Sequence, residues 1–339
     1  MITISACMIV KNEERVLRRC LDSLKGLYDE LVIVDTGSSD STVSIAKEYT
    51  DKVYDFEWID DFSAARNFAM SKCNMEYIYI PDADEVLDEE NRERFKLLKE
   101  NLYKEIEVVE MWYVNQLSNG TVYNYDRELR PKLYKRLREF TFIDPVHEIV
   151  RVDPVVYESE VEIIHKPETL HTNRDLRIFE KIIDKGDKLS DRLIRMYARE
   201  LCVSGKEEDF IKAAKYFERL LLTEESDELQ KCAYIVLAYA AAVTKDTDAL
   251  LKYTLKNVVT ETSSEICTIL GAFFEEKGDL LEASIWYFNA RYETEPELLL
   301  KSKTVTPLRG LIRVYKALGD VATASKYEEE LKDIDSFIE

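Results

Sequence analysis

Short apolar runs alternate with amphipathic segments along the first half of the chain. Residues 2–10 are mostly apolar and few in number, the pattern of a strand buried on both faces. Lys11-Asn12-Glu13-Glu14 then opens a helix carrying Val16, Leu17, Cys20, Leu21 and Leu24 at helical spacing, ended by Gly26. Residues 31–34, 52–55 and 76–80 read as further strands, with helices beginning near Ser41 and spanning 62–72. Strands separated by crossover helices predict a parallel sheet in an α/β sandwich.

Past residue 170 the pattern becomes wholly helical, so a division into 1–170 and 171–339 is expected. Ala213, Ala249, Ala283 and Ala324 recur, each followed shortly by Tyr216, Tyr253, Tyr287 or Tyr327, and Gly278-Asp279 and Gly319-Asp320 mark equivalent turns. The period, roughly 34 to 41 residues, suits a solenoid of the tetratricopeptide kind. The repeats are degenerate, most clearly around Tyr239, and an ordinary helical bundle also fits.

A length of 339 residues suits two domains, and 46% hydrophobic residues supply ample core. A formal charge of −20 argues against attraction to nucleic acid or to an anionic membrane. The six cysteines form no CxxC pair, and Cys7 and Cys232 sit in or beside apolar runs, as small hydrophobes do. No secretory signal is visible, and the apolar stretch 232–243 is too short to span a bilayer. A soluble, cytoplasmic protein is expected.

Ligands in an open α/β sheet bind at the carboxyl ends of the strands. Three clusters fall there: Val10-Lys11-Asn12-Glu13, Asp35-Thr36-Gly37-Ser38 and Pro81-Asp82-Ala83-Asp84-Glu85. Carboxylates gathered at one edge repel unless a cation or cationic side chain sits among them. A divalent metal bridging a diphosphate would resolve that conflict.

Four ordered motifs now carry a resemblance: residues 5–14, Val34-Asp35-Thr36-Gly37-Ser38-Ser39-Asp40-Ser41-Thr42, Trp58 through Asn67, and Asp82-Ala83-Asp84-Glu85. The chain resembles the family 2 glycosyltransferases of GT-A (Rossmann-like) fold. Within them it looks like the branch that appends tetratricopeptide-like repeats, which includes sublancin-type peptide S-glycosyltransferases and flagellin-modifying transferases. The resemblance implies that Val10 and Glu13 border the nucleobase and ribose, and that Asp35 hydrogen-bonds one of them. Many relatives carry a second acidic residue where Thr36 stands, which leaves that contact open between the two positions. Arg66 would reach the nucleotide, Asp82 and Ala83 would lie beside the ribose and metal, and Asp84 would bind Mn²⁺ or Mg²⁺. His165, following the apolar run 161–164, would complete the metal site; a structural histidine also fits.

Plainer roles fit some of these residues too. Asp40 or Ser39 serves as a helix cap, Arg66 as a surface ion-pair partner, the acidic triplet as a solvated loop, and Trp58 and Phe62 as core or wall. The basic run 127–136 includes Lys132 and Lys135, for which charge stabilisation beside a leaving diphosphate and a solvated strand face are both open. An inverting transferase needs a base, and Glu148 is the first candidate, with Asp144 and His147 behind it. His171 is assigned no role. The expected activity is transfer of a hexose or N-acetylhexosamine from a UDP-sugar to a Ser, Thr or Cys side chain of a protein or peptide. The repeats would position that acceptor or pair two subunits as a homodimer. Surface-polysaccharide or lipid-linked sugar synthesis, or an interaction scaffold with an inactive transferase half, are the alternatives.

Overall fold

The computed structural model describes residues 1–115, 127–136, 142–143, 149–150, 154–166, 174–223, 226–260 and 262–338. The chain divides into two compact units, Met1–His171 and Thr172–Glu339. The first runs β1 (Ile4–Val10), α1 (Leu17–Leu24), β2 (Glu30–Asp35), α2 (Thr42–Lys47), β3 (Val53–Asp55), α3 (Phe62–Ser71), β4 (Tyr77–Tyr79), β5 (Glu85–Val86) and α4 (Glu89–Asn101). It continues with β6 (Val108–Asn115), β7 (Arg127–Lys135), β8 (Phe142–Ile143), β9 (Ile149–Val150) and β10 (Val156–His165).

Eight of these strands form one sheet in the order β3-β2-β1-β4-β7-β6-β10-β5. The first four are mutually parallel. β7 joins antiparallel between β4 and β6, β10 runs parallel to β6, and β5 closes antiparallel on β10. The sheet is therefore mixed: parallel in its first four strands, as the sequence pattern predicts, and antiparallel where β7 and β5 join. Strand β1 is buried on both faces because its alternate side chains enter two cores. Ile4, Ala6, Met8 and Val10 pack with Leu17, Leu21, Ile45 and Phe95, while Cys7 packs with Val32, Ala69 and Ile78.

Helix α1 starts later than the sequence pattern predicts. Asn12 has a φ of 57°, outside the right-handed helical region, and Val16 and Leu17 both donate to the Glu13 carbonyl before regular helix begins. Helix α3 is capped by Asp61, which accepts from the Ala64 amide at 3.0 Å, and α4 by Asp88, which accepts from Asn91 at 2.9 Å.

At the amino end of β2, the carboxylate of Glu30 is buried yet saturated. It accepts from the Ser5 hydroxyl, the Lys52 ammonium, and the backbone and side-chain amides of Asn74, the last two both at 2.8 Å. Burial would raise its pKa, but these donors outweigh burial and take it from the ordinary 4.5 to about 2.

The second unit runs α5 (Arg174–Lys185), α6 (Asp191–Ser204), α7 (Glu207–Thr223), α8 (Asp227–Thr244), α9 (Thr247–Thr260) and α10 (Ser264–Lys277). It ends with α11 (Leu280–Tyr292), α12 (Val305–Ala317) and α13 (Val321–Ile338). From α7 to α13 each helix packs on the next, and α6, α8, α10 and α12 also touch one another in turn. Helices two apart in sequence therefore stack, as in a helical repeat. The recurring alanines lie near the starts of α7, α9, α11 and α13. Gly278 and Gly319, with φ of 80° and 81°, turn the chain out of α10 and α12. Among the described residues, no helix is long and apolar enough to cross a membrane.

Tyr287 on α11 shows what the small residues do. Its ring is clasped by Gly271 of α10 and Gly310 of α12, where an added Cβ would lie 2.7 and 2.6 Å from ring carbons. The hydroxyl donates to Glu275 at 2.8 Å, and Arg313 pairs with the same carboxylate. Two outcomes follow from these contacts. Gly310→Ala should lower unfolding stability by about 1–3 kcal/mol, because the overpacking outweighs the better helix propensity of alanine; urea denaturation checks this, and wild-type stability would show that the ring can move. Glu30 has a lowered pKa in the folded state, so its contribution is present above pH 4.5 and fades as the pH falls towards about 2. The stability gap between wild type and Glu30→Gln should therefore narrow over that range, and a constant gap would contradict the assignment.

Candidate functional site: the carboxyl ends of the parallel strands

Val10 and Asp35 end β1 and β2 side by side in register. Asp35 then folds back on its own loop. One carboxylate oxygen, Oδ2, accepts from the amides of Gly37 and Ser38 at 3.0 and 2.9 Å, a turn that places Gly37 at a φ of 99°. The other oxygen, Oδ1, is buried and has no hydrogen-bond partner. Leaving a buried acceptor unmade costs on the order of 1–3 kcal/mol, so this atom is suited to a ligand N–H or O–H. Thr36 is committed elsewhere: its amide and hydroxyl both donate to the Val10 carbonyl, at 2.9 and 3.1 Å.

The β1–α1 and β2–α2 loops clasp each other. Asn12 donates its amide to the Ser38 hydroxyl at 2.9 Å and accepts from the Ser39 amide at 2.8 Å. The Glu13 amide donates to Thr42 Oγ1 at 2.7 Å, and Glu14 accepts from the Ser41 amide at 3.0 Å. Asp40 serves both loops, accepting from Thr42 at the start of α2 at 3.0 Å and from Glu14 at 3.2 Å.

The acidic residues of the turn between β4 and β5 fall into two sets by their partners. Asp82 holds a cation on each oxygen: Arg66 on Oδ1 at 3.1 Å and Lys132 on Oδ2 at 3.3 Å. Burial opposes its charge, but Lys132 and then Arg66 outweigh burial and hold the carboxyl well below the usual range. Glu85 is turned inward, 2% exposed, and contacts Lys132 at 2.5 Å. Burial, reinforced by the nearby charges of Asp82 and Asp84, outweighs the ammonium and pushes its carboxyl up to about 8. The Cys20 thiol on α1 donates to the Asp82 carbonyl at 3.4 Å, and Ala83 is buried. Asp84 faces the other way, with Oδ2 3.0 Å from His165 Nε2, and its carbonyl accepts from the Lys166 amide at 2.8 Å.

The structure thus brings Asp82, Ala83, Asp84, Arg66 and His165 together, and sets Val10, Glu13 and Asp35 around the neighbouring strand ends. Arg66 is no surface ion-pair partner; its side chain is 15% exposed. The solvated strand face is overturned for Lys132, which is 6% exposed because the acidic turn folds over it. Lys135 points elsewhere, donating to the Lys104 carbonyl. Trp58 and Phe62 are half-buried and meet edge to face at 4.7 Å. Glu148, Asp144, His147 and His171 lie outside the described residues. Glu85 was missed as a site residue, although its place directly after Asp84 and the alternation of Arg130 and Lys132 along β7 were available signals.

Among the described residues, no three His, Cys, Asp or Glu side chains gather as a metal cage. Asp84 and His165 nevertheless fit one edge of an octahedral site: two ligands with bonds of about 2.1 Å at right angles lie roughly 3.0 Å apart, the separation seen here. The remaining positions would fall to ligand oxygens and water.

The α/β sheet with an acidic turn at its strand ends, and Asp84 facing His165, is the arrangement the resemblance to GT-A glycosyltransferases predicts. Residues 5–151 match the model of glycosyl transferase family 2, and the N-terminal unit is a domain of that family. A TPR repeat-containing protein of Synechococcus elongatus is 48% identical over 87 residues, which cover 26% of this chain and 22% of that relative. The SPbeta prophage-derived glycosyltransferase SunS of Bacillus subtilis is 26% identical over 225 residues, covering 63% of this chain and 52% of SunS. The lipopolysaccharide core biosynthesis glycosyltransferase LpsC of Rhizobium meliloti is 34% identical over 110 residues, covering 31% and 39%. The chain therefore spans between about a fifth and a half of the curated relatives it matches. Among solved structures, glucosyl-3-phosphoglycerate synthase of Mycobacterium tuberculosis with Mn²⁺ and UDP-glucose aligns at a TM-score of 0.39 and 14% identity, covering 56% of this chain and 81% of that one. TarS 1–349 of S. aureus aligns at 0.37 and 14%, covering 86% and 92%.

The loop clasp yields a direct expectation. Asp40→Ala should cost about 1–2 kcal/mol and speed hydrogen exchange at the Glu14 and Thr42 amides together; exchange that rises at Thr42 alone would reduce Asp40 to a helix cap.

Proposed function

We propose that the N-terminal unit is a metal-dependent, inverting glycosyltransferase that moves a hexose or N-acetylhexosamine from a UDP-sugar to a protein or peptide side chain. The observation that carries the reading is the division of the acidic turn. Asp82 and Glu85 are held by Arg66 and Lys132, while Asp84 faces His165.

In this reading Asp35 Oδ1 accepts a hydrogen bond from the base or ribose, bordered by Val10 and by the backbone at Glu13. Arg66 keeps Asp82 ionised beside the nucleotide. Asp84 and His165 hold Mn²⁺ or Mg²⁺, which when bound neutralises charge developing on the departing diphosphate. Glu148 takes the proton from the acceptor hydroxyl or thiol as it attacks the anomeric carbon on the face opposite the leaving group. The stacked helices present an extended acceptor or pair two copies of the chain, and the glycosyltransferase SunS among the relatives supports the enzymatic reading. LpsC supports a second acceptor class, a surface saccharide, reached from the same donor site.

The test is hydrolysis or transfer with a panel of UDP-sugars, in Mn²⁺ and in EDTA, followed by mass spectrometry of candidate peptide and saccharide acceptors. Turnover is expected with Mn²⁺ and not with EDTA, and no UDP binding by calorimetry would sink the proposal. Asp84→Ala is expected to abolish metal-dependent turnover with the fold retained by circular dichroism; retained activity would remove Asp84 from the metal site.

A further inference from the structure

Lys132 brings a buried positive charge into the first unit, and its surroundings define what it can do. Its ammonium has three N–H donors and no acceptor. Three acceptors surround it: Glu85 Oε1 at 2.5 Å, Asp82 Oδ2 at 3.3 Å and the Ile80 carbonyl at 3.4 Å. The face of Tyr113 lies 5.5 Å from the nitrogen. The donors are thus spent on three points of one short turn, and none is left to bind a phosphate oxygen.

Those three points bracket the acidic turn from the end of β4 to the start of β5. Backbone bonds close the same bracket, since Ile80 donates to the Lys132 carbonyl at 2.9 Å and Glu85 to the Asp82 carbonyl at 3.1 Å. With residues 82 and 85 both held on the lysine, Asp84 between them is presented to His165. Without the ammonium, Glu85 would lose the partner of Oε1 while its Oε2 already has none. A buried carboxyl with no partner is costly, and swinging it outward would turn the loop that carries Asp84.

We propose that Lys132 is a positioning residue that sets the direction in which the acidic turn presents Asp84, and so governs divalent-metal affinity without touching metal or donor. The proposal rests on the donor-site reading above. Supporting groups behind metal ligands typically change affinity by about ten- to a hundredfold.

The experiment uses the full chain with Mn²⁺ and UDP as probes. Free Mn²⁺ is followed by electron paramagnetic resonance, UDP binding in EDTA by calorimetry, and thermal unfolding separately. Lys132→Met keeps the length of the stem and removes the charge. It is expected to weaken Mn²⁺ binding in the presence of UDP by about tenfold or more, with metal-free UDP affinity unchanged. Lys132→Arg keeps the positive charge beside Asp82 and Glu85 but replaces the three-pronged donor with a planar fork. It is expected to fold and to show the same loss, and it decides the matter should Lys132→Met fail to fold. Wild-type Mn²⁺ affinity in the folded variants, whatever their melting temperature, overturns the positioning role alone. A wild-type protein that binds neither UDP nor Mn²⁺ with UDP overturns the donor-site reading and this proposal with it.

Discussion

Carboxylates gathered where parallel strands end must be neutralised, and the first unit is organised around how that is done. Like charges a few ångströms apart in a poorly hydrated place repel strongly. Here Asp82 is paired with both Lys132 and Arg66, while Glu85 is buried against the same lysine with its carboxyl pushed up to about 8. Those cations come from different parts of the chain, Arg66 from α3 and Lys132 from β7. The inner side of the site is therefore built by the sheet itself, through the insertion of β7 beside β4.

The same edge leaves a different set of groups unspent. Asp35 has a buried oxygen without a donor, and Asp84 faces His165 rather than a lysine or arginine. Fully paired groups hold a loop still, whereas a buried acceptor with no partner is an invitation to a ligand. The clasp between the loops after β1 and β2 serves the first purpose and keeps Asp35 at a defined depth. Its short polar residues, Asn12, Ser38, Ser39 and Asp40, answer one another's backbone groups, which explains why helix α1 gives up its first turn.

The second unit obeys a different rule, in which close packing replaces charge pairing. The ring of Tyr287 fits because Gly271 and Gly310 have no side chains to meet it. At this contact, small residues on the two flanking helices and an aromatic between them let the neighbours approach closely.

Much was legible in the chain by itself. Periodicity marked β1 to β4, the helices between them and the helical second unit, since burial on two faces, one face or none leaves different spacings of apolar residues; it did not mark β5, β6 or α4. Motifs at strand ends marked Asp35, Asp82 and Asp84, and the motif at the start of α3 marked Arg66, because those side chains follow directly from local position. What only the tertiary structure decided is the direction each of them faces. Lys132 looked like one charge in a basic run, and its burial beneath the acidic turn depends on β7 pairing with β4 from far along the chain. Glu85 and Thr36 changed meaning for the same reason, one drawn to that lysine and the other to the Val10 carbonyl. Sequence spacing records local geometry, whereas the partner of a buried charge is set by whichever distant strand the sheet brings alongside.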